Sequence, residues 1–142
     1  MTIPVWMLLG FAAWTLVLLV ATIGLYRWIR ILTGGAGVGA FPADKIEGEE
    51  WYKRAMRAHA NCIENLPVFG AIVFAIHVSG IRGAAVDYPS IAVLAARVAQ
   101  SLVHVSFVQT DAVASVRFSF FSIQLACFLW LIALLVRQML MR

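Results

Sequence analysis

The sequence predicts an all-α integral membrane protein, a bundle of four transmembrane helices. Three observations lead there. Of the 142 residues, 63% are hydrophobic and 13% charged, against about 45–50% and 25% in a soluble domain. Four long apolar stretches each approach or exceed the ~20 residues that cross ~30 Å of hydrocarbon at 1.5 Å per residue. The few polar residues inside these stretches recur at helical spacing. A soluble core of this length cannot absorb so much apolar surface. The chain therefore reads as one membrane domain, 1–142, with spans at about 5–28, 52–79, 89–109 and 116–138.

Span one has no Lys or Arg before Arg27. Its apolar run is also longer than the roughly 7–15 residues of a signal-peptide core, so it is expected to be a retained helix. The loop that follows begins Thr33-Gly34-Gly35-Ala36-Gly37-Val38-Gly39, which holds neither helix nor strand. A phosphate cradle would need a preceding strand, a Lys and a Ser or Thr, so these glycines read as a flexible turn. The loop ends in Asp44, Glu47, Glu49 and Glu50, acids that suit the positive end of the next helix. Arg27, Arg30, Lys45, Lys53, Arg54 and Arg57 cluster between the first two spans. The positive-inside rule then places this loop in the cytoplasm, and four spans leave both termini on the other side. No basic face with interleaved aromatics points to nucleic acid.

Span two carries Arg54, Arg57, Asn61 and Glu64 at steps of 3, 4 and 3, a single helical stripe. An ionisable group in hydrocarbon costs roughly 2.5–3.5 kcal/mol or more, so such residues usually face a bundle interior and mark a function. A polar seam that merely joins helices would explain one Asn. Two Arg, an Asn and a Glu together favour a ligand site able to read a zwitterion. Asn65 beside the stripe is expected to cross-link helices, and Pro67 removes a donor that would otherwise continue the ladder.

Gly80, Gly83 and Pro89 break the chain before span three. That span places Arg97, Gln100 and His104 at i, i+3 and i+7. Arg97 needs a partner, and Glu64 is the expected one, as a structural pair or within a site. His104 reads equally as a proton carrier or a packing histidine. A short third connection near 109–117 leads to span four, opened by Arg117. Arg117 either snorkels to the interface or turns inward to complete a cationic cluster with Arg57 and Arg97. Such a cluster suits an anionic peptide, or a thiol that must ionise, since a neighbouring guanidinium lowers a thiol pKa from ~8.5. Cys62 and Cys127 lie inside spans as small hydrophobes. His59, His77 and His104 lack ligand spacing, so no metal site is expected.

Arg57-Ala58-His59-Ala60-Asn61-Cys62-Ile63-Glu64-Asn65-Leu66-Pro67-Val68-Phe69 resembles the R-A-x-x-N-x-x-E-x-x-P-x-F signature of the MAPEG family, the membrane-associated proteins in eicosanoid and glutathione metabolism. Arg97-Val98-Ala99, His104 and Arg117-Phe118 extend the resemblance over nearly the whole chain, closer to the prokaryotic members than to the eukaryotic synthases. The resemblance implies a homotrimer with glutathione as co-substrate between neighbouring subunits, near the cytoplasmic face. Carried over by position, it implies glutathione-binding roles for Arg57, Asn61, Glu64, Arg97, Gln100 and His104. It makes Arg117 the residue that stabilises the glutathione thiolate. Arg27 or Arg30 matches a basic residue ending span one. Ala60 stands where several members have Arg, Gln100 where His is frequent, His104 where Tyr is frequent, and Phe120 and Phe121 where some place Tyr. The implied function is a glutathione-dependent transferase or peroxidase acting on small lipophilic electrophiles from the bilayer, in a bacterial inner membrane. The alternative is a non-catalytic relative that binds lipid or a protein partner. A channel or transporter subunit is disfavoured by the absence of internal repeats.

Overall fold

A computed structural model describes residues 1–42 and 46–141. Asp44 and Lys45, two of the charged residues considered above, lie outside the described residues, as does Arg142. The architecture is all-α: α1 Ile3–Leu32, α2 Glu50–Ser79, α3 Ala84–Ser106 and α4 Asp111–Leu140. A short 3-10 turn, Val38–Ala40, sits in the first loop.

Three of these helices, α1, α2 and α4, have 30 residues each and are long and apolar enough to cross a membrane. They turn large apolar side chains outward, among them Leu16, Val20, Phe74, Leu129 and Trp130. Water would penalise that surface and lipid does not. The helix α3, with 23 residues, is not among the three. Asp87, Arg97, Gln100 and His104 interrupt its apolar sequence. Its place in the bundle accounts for this composition, because α3 packs against all three other helices. A helix enclosed by neighbours meets less lipid and tolerates more polar residues.

The main core joins Phe11 of α1, Cys62, Phe69 and Val73 of α2, Val93 of α3, and Phe128 and Leu131 of α4. The Phe69 ring lies 5.9 Å from Phe11 and 6.0 Å from Phe128, centroid to centroid. Gly10 lets α1 approach α3 closely, since a Cβ there would lie 2.9 Å from a methyl of Leu94.

Midway along α1 the helix widens into a π-helical segment, Leu19–Gly24. The buried residues Phe11, Thr15, Leu18, Ile23 and Tyr26 step by four, three, five and three. The five-residue step absorbs one extra residue within the π segment and keeps Ile23 and Tyr26 on the packing face. There they meet Tyr52 and Ala55 in a second core. Tyr26 and Tyr52 stack at 4.3 Å, and their hydroxyls accept from Arg30 Nη1 at 2.9 Å and Arg27 Nε at 2.8 Å respectively.

Helix ends set the register. Gly80 adopts φ 68° and ψ 15°, and the Ile81 N–H reaches back to the Ile76 carbonyl at 3.3 Å, the Schellman closure of α2. The break falls at 80–83, and Pro89 lies inside α3. Likewise α2 continues through Pro67. Residues 111–115, assigned by sequence to the third connection, are the first turns of α4. The Thr110 hydroxyl accepts from the Val113 N–H at 3.3 Å and caps that helix. Arg54 Nε donates to the Val105 carbonyl at 3.3 Å, and Trp130 Nε1 to the Ala85 carbonyl at 3.0 Å. These two bonds make α2, α3 and α4 antiparallel neighbours, and gather the start of α2, the end of α3 and the start of α4 at one end.

Candidate functional site

Near that end lies an open cavity of about 300 Å³. Asn61, Glu64 and Asn65 come from α2, and Arg97 and Gln100 from α3. The connection contributes Gln109, and α4 contributes Ala114, Arg117, Phe118 and Phe121. Five residues singled out by sequence thus converge: Asn61, Glu64, Arg97, Gln100 and Arg117. Arg57 and His104 do not line this cavity. Arg57 is exposed on the flank of α2, within electrostatic reach of Arg117 and His104. His104 is 3% exposed and its Nδ1 has no hydrogen-bond partner among the described residues. Neither Arg27 nor Arg30 lines the cavity, each being bonded to a tyrosine hydroxyl.

The α2 stripe faces the protomer's own interior only in part: Arg54 bonds to α3 and Asn61 is half-buried in the cavity, whereas Arg57 and Glu64 depart from the expectation. The buried positions of α2 are Tyr52, Ala55, Ala58, Cys62, Phe69, Ile72, Val73 and Ile76, and Arg57 and Glu64 lie beside that face, exposed. Nor does Asn65 cross-link helices. Its Nδ2 donates to the Asn61 carbonyl of its own helix at 2.8 Å.

Arg97 dominates the electrostatics. It is 1% exposed, and its Nε and Nη2 have no hydrogen-bond partner among the described residues. The guanidinium carbon sits 5.5 Å from the centroid of the Phe11 ring. The expected ion pair with Glu64 is not formed among the described residues: Glu64 is an exposed residue of the shared cavity and Arg97 a buried one, within electrostatic reach but without a salt-bridge contact. A buried charge without a partner carries a desolvation penalty of roughly several kcal/mol. The adjoining cavity is the route by which water or an anionic group can reach it.

An amide relay joins α3 to α4. Gln124, fully buried, donates from Nε2 to Gln100 Oε1 at 2.9 Å and to the Phe120 carbonyl at 3.0 Å. Gln100 Nε2 donates to the Arg117 carbonyl at 3.3 Å. Arg117 Nη1 donates to Gln109 Oε1 at 2.9 Å. Sequence reasoning missed Gln124 and Gln109. The first was accessible, standing seven residues after Arg117 and so on the same helical face. The second lies in an irregular connection with no periodic signal.

The cavity combines two guanidinium groups, one carboxylate and four amides with a wall of Phe118 and Phe121, whose rings are 6.5 Å apart. Charge-assisted bonds from such a set hold a small zwitterion or dianion, and the aromatic wall offers a place for an apolar second molecule. Cys62 is buried with its sulfur 3.6 Å from the Ser101 hydroxyl, and no disulfide joins it to Cys127.

A family model, that of the MAPEG family, matches residues 11–137. No curated protein and no solved structure gives a match.

Proposed function

The chain belongs to the MAPEG family, and on that premise we propose that it is a membrane-embedded glutathione-dependent transferase or peroxidase acting on lipophilic electrophiles. The observation that carries this reading is Arg97, buried and unpaired beside a cavity that also presents Arg117, Glu64 and Asn61. Glutathione carries two carboxylates, one ammonium and a thiol. Two guanidinium groups answer the carboxylates and the nascent thiolate, Glu64 answers the ammonium, and the amides answer the peptide groups. The volume of about 300 Å³ sits at the lower end of the roughly 300–1,000 Å³ typical of small-molecule sites.

In this reading Arg117 stabilises the thiolate, as the family resemblance implies. A fixed positive group acting in a water-poor site favours the anion over the thiol. The electrophile enters from the bilayer along Phe118 and Phe121. Arg57 and Glu64 are exposed on a protomer's flank, and charge facing hydrocarbon is costly. A neighbouring subunit that covers this flank removes the cost and closes the cavity, which supports a homotrimer with glutathione between subunits. The helix α3 is then the fourth span, its polar residues turned inward. The basic first loop faces the cytoplasm, in a bacterial inner membrane.

Calorimetric titration of glutathione into detergent-purified protein tests the proposal. Saturable binding that Arg97→Met abolishes, together with thiolate absorbance in the wild type, is expected. Absence of binding and of thiolate signal in an intact oligomer overturns it. A non-catalytic role in lipid or partner binding is the second reading. It is favoured by His104, which stands where the family often has Tyr and does not line the cavity.

A further inference from the structure

We propose that Gln109 is a positioning residue, which fixes the Arg117 guanidinium while leaving its charge free for an anionic ligand. The proposal rests on the reading of Arg117 given above and adds how that side chain is held.

Arg117 is tied to its surroundings twice, by different parts of the residue. Its carbonyl accepts from Gln100 Nε2 at 3.3 Å, and Gln100 is in turn oriented by buried Gln124 at 2.9 Å. This pins the backbone of α4 to α3. Its guanidinium is tied separately, through Nη1 to Gln109 Oε1 at 2.9 Å. The two arms approach from different elements, one from the α3 surface and one from the connection at 107–110. Both Gln109 and Arg117 line the cavity.

An arginine side chain has several rotatable bonds, and ordering it takes up conformational entropy. A single acceptor on one terminal nitrogen removes much of that freedom before any ligand arrives, which is pre-organisation. The chemical type of the acceptor matters as much as its place. A carboxylate at this position would order the guanidinium equally well. It would also form an ion pair, and so compete with the carboxylate or thiolate of a ligand. A neutral amide orients without neutralising. No ion pair to Arg117 is found among the described residues, and its Nε is buried without a partner. Its Nη2 makes no hydrogen bond among the described residues and is not among the buried atoms, so donor capacity is still available on a guanidinium that is already directed.

Two substitutions separate orientation from charge. Gln109→Met keeps the length of the side chain and deletes the acceptor, and Gln109→Glu keeps the acceptor and adds a charge. Gln109 is exposed, so both variants are expected to fold, which thermal melting in detergent checks. The first readout needs no ligand: side-chain nitrogen NMR of the arginines, with Arg117→Lys assigning the signal. Hindered rotation of the Arg117 guanidinium is expected in the wild type and Gln109→Glu, and free rotation in Gln109→Met. The second readout is the thiolate absorbance of glutathione at saturating concentration and neutral pH. It should fall about tenfold in both variants, the weight of one charge-assisted interaction.

Unchanged guanidinium dynamics in Gln109→Met overturn the positioning role. Full thiolate signal in Gln109→Glu overturns the requirement for a neutral acceptor. If the wild type gives no thiolate signal, the glutathione reading falls, while the NMR comparison still decides whether Gln109 orders Arg117.

Discussion

Arg97 is a residue placed against its own stability. Its guanidinium is 1% exposed and two of its nitrogens lack partners, so the folded state carries a desolvation penalty that a hydrophobic side chain would not. Arg97→Met fills similar space without charge. The expected outcome is a ligand-free protein more stable by about 1–4 kcal/mol, seen as a higher melting temperature in detergent, together with at least a hundredfold loss of glutathione affinity. A variant that is less stable and still binds would show that Arg97 is a structural group. The sequence made Arg97 conspicuous, since a charge seven residues from His104 in an apolar run is unusual. It pointed to Glu64 as the partner, and that pair is not formed among the described residues. Helical spacing gives the face of a residue on its own helix, but not the offset between neighbouring helices, and that offset places Glu64 outside and Arg97 inside. For the same reason five of the seven nominated residues could be brought together by the fold while Arg57 and His104 were not.

Among the elements, α4 depends most on a short signal at its start. Thr110 accepts from the Val113 N–H, satisfying one of the orphan donors of the first turn. Its loss by Thr110→Ala is expected to destabilise the protein by about 1 kcal/mol, with Thr110→Ser restoring most of it, as read from melting curves. The first two turns of α4 also carry Ala114 and Arg117 into the cavity, so Thr110→Ala should weaken glutathione binding in proportion to fraying. Hydropathy alone starts this helix too late. Residues 111–116 are less apolar than the run that follows, and the cap governs where the backbone turns helical. The π segment in α1 was hidden in a similar way. Every residue of Leu19–Gly24 is compatible with an ordinary helix, and only the meeting of Ile23 and Tyr26 with α2 requires the extra residue.

At the scale of the whole molecule the open question is parity. Among the described residues three helices meet the length and composition of a membrane span, and three crossings put the termini on opposite sides. A fourth crossing by α3 puts them on the same side. The arrangement proposed above takes α3 as the fourth crossing, and the packing supports that proposal. The 23 residues of α3 extend about 35 Å at 1.5 Å per residue, enough to cross ~30 Å of hydrocarbon. It is joined to α2 and α4 by connections at 80–83 and 107–110, too short to lead a chain back across a bilayer. Its end is bonded to the start of α2, through Arg54 to Val105, and its start to the second half of α4, through Trp130 to Ala85. If α2 and α4 cross, α3 crosses between them. The expected result is therefore that single cysteines placed at residue 2 and residue 141, in a background with Cys62→Ala and Cys127→Ala, react with a membrane-impermeant thiol reagent from the same side of sealed vesicles. A cysteine at residue 38, in the basic first loop, should react from the other side. Termini labelled from opposite sides would mean that α3 lies in or on the membrane without crossing it, and that the cavity opens differently from the arrangement proposed above.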